Sequence, residues 1–574
     1  MSDLPPADST GAAHPAHANE ASTIVSDAAA SREEQMLAAV QGKGLGARIG
    51  TYFKLSGPGW LQSAITLGGG SLAASLYLGV LGGYGMLWVQ PVAMLLGLVL
   101  LGTISYVTLT TQERPFGVIK NRVNPVLAWA WLLATVAANC VWIMPQFTLA
   151  VGAIEQNLLG GGESAGNLKW LWVFLLAAVA IGVIWFYDSG TRGIKIFELL
   201  LKVVVGLIVI CFVIVIVKLA AAGALPWGKV AAGFFPNPML IFQPGETYDA
   251  PLAALSDPAA RDYWSGYIVG QQRDVIFAGL AVAVGINMTF LLPYSMLARG
   301  WGRLHRGLAN FDLSTGLLIP FVLVVSCVVM AAAAEFNGKF EQSVVNDPST
   351  NGKAMGLLAP RMEAAGVSNA SEMPEADRQL AAMLVQRDNG DFSRALSNVA
   401  GDTVGRYIFG IGVVCIGLST IIVLMLINGY ATCEAFGVEP TGMARRIGSL
   451  VPILFGVLAV EFWAQADAYL AVPTSVFGLM LIPIAAWTFF IMFNSERVMR
   501  GRGPAGSGKM LANGLIILAS SILTAASLYA VWTKTSWKGL GALALLVGAA
   551  VVVHFVMPRR TDGGDSQKRG FETV

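Results

Sequence analysis

Apolar positions in this chain fall in long uninterrupted blocks, without the spacing of an amphipathic helix or a half-buried strand. From residue 57 onward the blocks cover about 57–80, 84–111, 124–152, 168–187, 194–221, 275–298, 311–334, 405–433, 447–462, 466–493, 512–532 and 539–556. A hydrocarbon core of ~30 Å takes about 20 helical residues to cross. Twelve membrane-spanning helices are therefore predicted, the fourth, ninth and twelfth resting on the weakest runs. The first 50 residues, rich in Ala, Ser, Asp and Glu, have no apolar run behind a basic patch, which predicts a disordered tail and no signal peptide.

The polar connections fix an orientation. With the N-terminus inside, the loops carrying Arg114/Lys120/Arg122, Arg192/Lys195, Arg299/Arg303/Arg306, Arg445/Arg446 and Arg497/Arg500/Arg502/Lys509 all face the cytoplasm, as does the tail with Arg559, Arg560, Lys568 and Arg569. Lys534 and Lys538 are the exception. One missed span would invert every later loop, so the agreement supports both count and direction. The expected layout is a cytoplasmic tail 1–50, a first five-helix repeat 51–221, an outer loop 222–273 and a second repeat 274–495 interrupted by an outer loop 336–402. Two extra helices in 496–558 and a cytoplasmic tail 559–574 follow. Neither outer loop reads as an enzyme domain; the second offers short helices near Pro374–Val385 and no evident core.

Composition sharpens the class. Charged residues make up 13% against 55% hydrophobic, with a mean hydropathy of +0.64, 65 Gly and 15 Trp, where soluble proteins carry ~25% charged residues. The chain is thus an all-α polytopic membrane protein, expected in the inner membrane of a bacterium. A net charge of +2 offers no basic stripe for nucleic acid, leaving lipid and a transported ion or solute as partners. Cys140, Cys211, Cys327, Cys415 and Cys433 stand singly in apolar runs, so neither a disulfide framework nor a metal cluster is expected, and no cofactor is implied. No catalytic motif stands in a suitable context: Gly503–Lys509 has the GxxxxGK spacing of a phosphate cradle, but Met510 replaces the hydroxyl that would hold Mg²⁺, and the run follows an Arg-rich loop.

Two spans are interrupted. The first contains Gly68, Gly69, Gly70 and Ser71, giving up ~1 kcal/mol of helix propensity per glycine. The sixth contains Gly285, Ile286, Asn287, Met288 and Thr289, then Pro293. The breaks lie five spans apart, and an odd repeat inserts its second copy upside down. An inverted 5+5 repeat with discontinuous helices 1 and 6 and a midplane site between them is predicted. The competing reading, close helix packing at small residues, suits an isolated glycine better than three in a row.

Along the same residues the chain resembles the natural resistance-associated macrophage protein (Nramp) family of divalent-metal transporters. The similar stretches are Gly57–Trp60, Gly83–Val89, Phe311–Thr315, Gly417–Thr420 and Arg445–Arg446, in order, over roughly 50–500. The resemblance implies the fold shared with the bacterial leucine transporter and a divalent-metal cargo. The chain departs from the family at its metal site. Gly68–Ser71 stands where the family has Asp-Pro-Gly-Asn, Gly285–Asn287 where it has Met-Pro-His, and Leu418 where it has Gln.

Charge then limits the cargo. No Asp, Glu, Lys, Arg or His occurs between Gly57 and Gln112, Asn124 and Ile154, Val275 and Ala298, or Tyr407 and Cys433, and an uncompensated divalent charge there costs many kcal/mol. Candidate cargo-binding residues are Thr66, Leu67, Gly68, Gly69, Gly70, Ser71, Gly285, Asn287, Met288 and Thr289. Backbone N–H groups after the first break suit an anion. Thr66 and Leu67 carbonyls with the Ser419 and Thr420 hydroxyls resemble the sodium site of relatives of this fold, so the coupling ion is expected to be Na⁺ or H⁺. Asn139 and Gln146 are further polar candidates that also suit helix–helix contacts. Glu198 and Lys202 are spaced as an ion pair, while His554, Glu461 and Asp467 read as peripheral. Three functions stay open: a metal-ion carrier with a replaced site, a sodium-coupled or facilitated carrier of a small neutral or anionic solute, and a non-transporting receptor or scaffold.

Overall fold

The computed structural model describes residues 33–556 except 41, 161–167, 188–190, 386, 388 and 463–470. Among these residues ten helices are long and apolar enough to cross a bilayer, and up to eleven when a bent pair is counted as one span. We number the helices of the membrane core α1 (Pro58–Thr66), α2 (Gly69–Gly82), α3 (Val89–Thr111), α4 (Pro125–Gly152), α5 (Lys169–Tyr187), α6 (Thr191–Ala221) and α7 (Pro258–Ala283). They continue with α8 (Ile286–Ala298), α9 (Ile319–Phe336), α10 (Phe409–Phe436), α11 (Gly442–Phe462), α12 (Ala471–Asn494) and α13 (Gly506–Val556). The last two apolar runs of the sequence lie in one 51-residue element, α13, whose helical geometry fails at Ser536, φ 51°.

The halves α1/α2 and α7/α8 are the discontinuous helices of the inverted 5+5 repeat. α2 packs against α7 and α9, α8 against α3 and α4, and α10 against α4 and α11, so the two broken helices sit inside a sleeve of unbroken ones. Close approach needs small residues. A side chain at Gly79 on α2 would lie 2.5 Å from the Val329 carbonyl on α9, so this glycine serves packing.

Two boundaries differ from the sequence-based layout. The outer loop expected to run to residue 273 ends sixteen residues earlier, because Asp257 accepts N–H bonds from Ala259 and Ala260 and Pro258 occupies the first helical position. Those caps start α7 regardless of hydropathy, while Arg261, Asp262, Arg273 and Asp274 dilute the apolar signal that the reading relied on. The segment expected as the second outer loop is a folded layer. It contains helices Gly352–Ala365, Glu375–Leu384 and Asn389–Ala400 and a small core of Val344, Val345, Ala354, Ala382 and Val385. Asp377, fully buried, fastens this layer: it accepts from Trp264 Nε1 of α7 (2.8 Å) and from Arg361 Nε (3.2 Å), and Arg361 also reaches Asp257 at 3.0 Å.

Candidate functional site

The first break is narrower than the glycine run. α1 ends at Thr66, Leu67 (φ −79°, ψ 47°) and Gly68 (φ −94°, ψ 178°) leave the helix, and Gly69 already begins α2, with the two halves bent by 53°. Gly69, Gly70 and Ser71 are therefore helical, contrary to an unwound stretch across all four. Gly68 has no positive φ; glycine is required because a Cβ would fall 2.7 Å from Thr420 Oγ1 and 2.8 Å from the Ile65 carbonyl. In the second break Val284 (φ −144°, ψ 109°) and Gly285 (φ −86°, ψ 160°) are extended. A Cβ on Gly285 would fall 2.2 Å from the Trp142 ring.

Between the breaks lies a small cavity of about 30 Å³. Gly68, Gly70 and Ser71 border it from the first broken helix and Met288 from the second, with Trp142 and Gln146 on α4, Thr420 on α10 and Thr474 and Ser475 on α12. None of the described residues that line it is ionisable. Among the described residues there is also no group of three or more His, Cys, Asp or Glu placed to hold a metal.

The hydrogen bonds around this cavity bring several predicted residues together. Thr66 Oγ1 donates to Met288 Sδ at 3.1 Å, which joins the two broken helices, and the same sulfur lies 3.4 Å from the Gly285 amide. A thioether thus returns to the site from a position next to the altered Met-Pro-His triplet. Ser71 Oγ donates to the Thr66 carbonyl across the first break. The expected anion site at the start of α2 is partly taken: the Gly69 N–H donates to Gln146 Oε1 at 2.8 Å, so an α4 side chain sits where a carboxylate would. Gln146 is held by its own Nε2 bond to the Trp142 carbonyl at 3.1 Å.

Other candidates point elsewhere. Thr289 accepts from Trp131 Nε1 at 2.9 Å and donates to the Ile286 carbonyl, away from the cavity lining. Asn287 Oδ1 accepts from the Met288 N–H at 2.8 Å, and its Nδ2 is buried without a hydrogen-bond partner. Leu67 borders a second, apolar space of about 10 Å³ toward Val324, Val325 and Val328 of α9. Ser419 and Thr420 do meet the first broken helix, but at the Ala64 carbonyl (3.1 and 3.5 Å), short of the break, while both also donate to Ile416.

Three site features were missed by sequence reasoning. Trp142 forms a cavity wall in a slot between Gly285 and Gly478, and Thr474 and Ser475 of α12 complete it. The signal was present as Pro473-Thr474-Ser475 followed by Gly478, a small polar cluster behind a helix-breaker at the start of a span. The third is Asp312, 1% exposed, whose carboxylate accepts from Ser56 Oγ and from the Gly57 (3.1 Å) and Gly59 amides at the start of α1. Lys202 Nζ donates to the Ser56 carbonyl at 2.8 Å; the side chain of its expected partner Glu198 lies outside the described residues, as does Asp467. Glu461 pairs with Lys169 at 2.9 Å, and His554 is exposed on α13.

Paired helix breaks, an inverted repeat and a cavity at their junction define a polytopic membrane protein of the broken-helix transporter fold. The family profile described as natural resistance-associated macrophage protein-like matches residues 59–533, and the chain belongs to that family. A crystal structure of the Eremococcus coleocola manganese transporter in complex with an aromatic bis-isothiourea compound matches with a TM-score of 0.59 at 16% identity, covering 90% of this chain and 94% of that one. A mutant of the same transporter matches with a TM-score of 0.59 at 15% identity, over the same shares of the two chains. No curated protein matches the sequence.

Proposed function

We propose that this family member is a secondary transporter whose cargo occupies the cavity between the breaks at Leu67–Gly68 and Val284–Gly285, and that this cargo is a small solute carrying at most one charge. The observation that carries the reading is the uncharged wall of the cavity. The cost of moving an ion out of water rises with the square of its charge, so a site without a carboxylate that tolerates a monovalent group opposes a bare divalent one about four times as strongly. The capped Gly69 amide argues in the same way against an organic anion. A sodium ion resting near the Ala64 carbonyl between Ser419 and Thr420 would supply coupling. The basic loops favour both termini in the cytoplasm.

The test is uptake into proteoliposomes of a panel of small neutral and monovalent solutes beside Mn²⁺ and Mg²⁺, with and without a Na⁺ gradient. Solute uptake without divalent uptake is expected. Concentrative Mn²⁺ uptake lost in Met288→Ala would favour a second reading, in which the family's metal cargo is held by the Met288 sulfur at the junction of the two breaks.

A further inference from the structure

The polarity of the hydrogen bonds around the cavity narrows the cargo further. Each side-chain hydroxyl on its wall is oriented by a helix carbonyl that takes its proton: Ser71 donates to Thr66, Thr420 to Ile416 (2.9 Å), Thr474 to Ala471 (3.1 Å) and Ser475 to Ala471. The Ser71, Thr420 and Ser475 oxygens keep lone pairs, because a hydroxyl that donates once still accepts. The Trp142 indole N–H is turned to the Thr474 carbonyl at 2.7 Å, so the ring contributes π surface and no donor. Met288 adds a polarisable thioether, its sulfur already taking the Thr66 hydroxyl and the Gly285 N–H.

Apart from the Gln146 amide, whose Oε1 takes the Gly69 N–H and whose Nε2 donates to the Trp142 carbonyl, the wall is oxygen lone pairs, sulfur and indole π surface with no formal charge, complementary to a ligand that donates hydrogen bonds and carries a diffuse positive charge. We infer that the cavity binds a small ammonium-type cation: ammonium itself or a short primary or methylated amine. The inference rests on the reading that this cavity is the cargo site. Trp is the strongest aromatic partner for such a cation, and more so when the pair is desolvated. An ammonium group also donates several hydrogen bonds, where a metal ion of equal charge needs a full shell of oxygens. The slot that Gly285 and Gly478 make for the indole fixes the ring as wall: a Cβ on Gly478 would lie 2.0 Å from Trp142 Cζ2.

The experiment is saturable uptake of radiolabelled methylammonium by proteoliposomes containing the full chain, with thermal unfolding of the detergent-purified protein in methylammonium as a transport-independent readout. Uptake competed by ammonium and ethylamine, and a raised unfolding midpoint, are expected. Trp142→Ala should abolish both effects, and Trp142→Phe, which keeps a ring, should retain them. Thr420→Val combined with Ser475→Ala should weaken apparent affinity about ten-fold, the equivalent of one lost hydrogen bond to a charged ligand. A folded protein with neither methylammonium uptake nor stabilisation overturns the inference. If neutral solutes or carboxylates are carried and amines do not compete, the inference falls and the carrier reading stands. Mn²⁺ uptake indifferent to amines would overturn both.

Discussion

At the residue scale two contacts do more than fill space. Asp312 places a buried carboxylate at the start of α1, where the free N–H groups and the helix dipole both favour negative charge. Asp312→Asn keeps the shape and removes the charge, so unfolding in detergent should come earlier by the equivalent of about 2 kcal/mol, the usual scale for hydrogen bonds to an ionised group. A control at Arg394, 74% exposed in its ion pair with Asp391, should leave the midpoint almost unchanged. The second contact is the Trp142 slot. Gly478→Ala puts a methyl group into the indole ring and should destabilise by ~1–3 kcal/mol through overpacking. Because the clash is with one side chain, Trp142→Leu should make Gly478→Ala much less costly, a non-additive pair measurable by a double-mutant cycle on thermal unfolding.

At the element scale, hydropathy located the spans and small residues located the breaks, because a bilayer demands long apolar runs and punishes open backbone. The same signal misjudged where α7 begins. Its first turns carry Arg261 and Asp262, and there the cap at Asp257 and Pro258 decides, not apolarity. Nor could it show that α4 supplies Gln146 to the start of α2, since that contact joins residues 77 apart in sequence. The folded outer layer was hidden for a related reason: its core is five small and medium apolar residues scattered from Val344 to Val385. That layer hangs on the Asp377–Arg361–Asp257 chain. Arg361→Ala leaves the buried Asp377 charge with only the Trp264 N–H and no cation, and should cost ~3–5 kcal/mol, read as faster hydrogen exchange across Gly352–Leu384. Asp257 is held below its ordinary value of 3.8, first by the Ala259 N–H and then by the Arg361 side chain. A depressed carboxyl contributes stability above its unfolded pKa and loses it as pH falls through the folded one. The start of α7 should thus be indifferent to pH from neutrality down to about 4 and loosen only in stronger acid, visible as exchange at Ala259 and Ala260.

At the scale of the whole molecule, the two broken helices meet at the Thr66–Met288 contact, and the sleeve around them is fastened at one end by Asp312 and Lys202 and at the other by the outer layer. The first part of α13 packs on α12, while the part beyond the turn at Ser536 lies at the edge of this arrangement, with Trp537, Leu545 and Phe555 largely exposed and Ala550 held by Asn124 Nδ2 at 2.7 Å. Truncation after Ser536 should leave cargo binding intact, checked by ligand-induced stabilisation of the shortened chain. The uncharged cavity wall also governs how the protein meets the membrane potential. A carrier with a fixed carboxylate at its centre drags that charge through part of the field each time it reorients empty, against ~2.3 kcal/mol per charge for every 100 mV. With none on the wall here, the empty return is electrically silent at the cavity, and voltage acts on the loaded step through whatever charge the cargo brings. Each turnover then moves a current equal to the charge of its passengers, and the cell's resting potential becomes a one-way bias on loading rather than a brake on recovery.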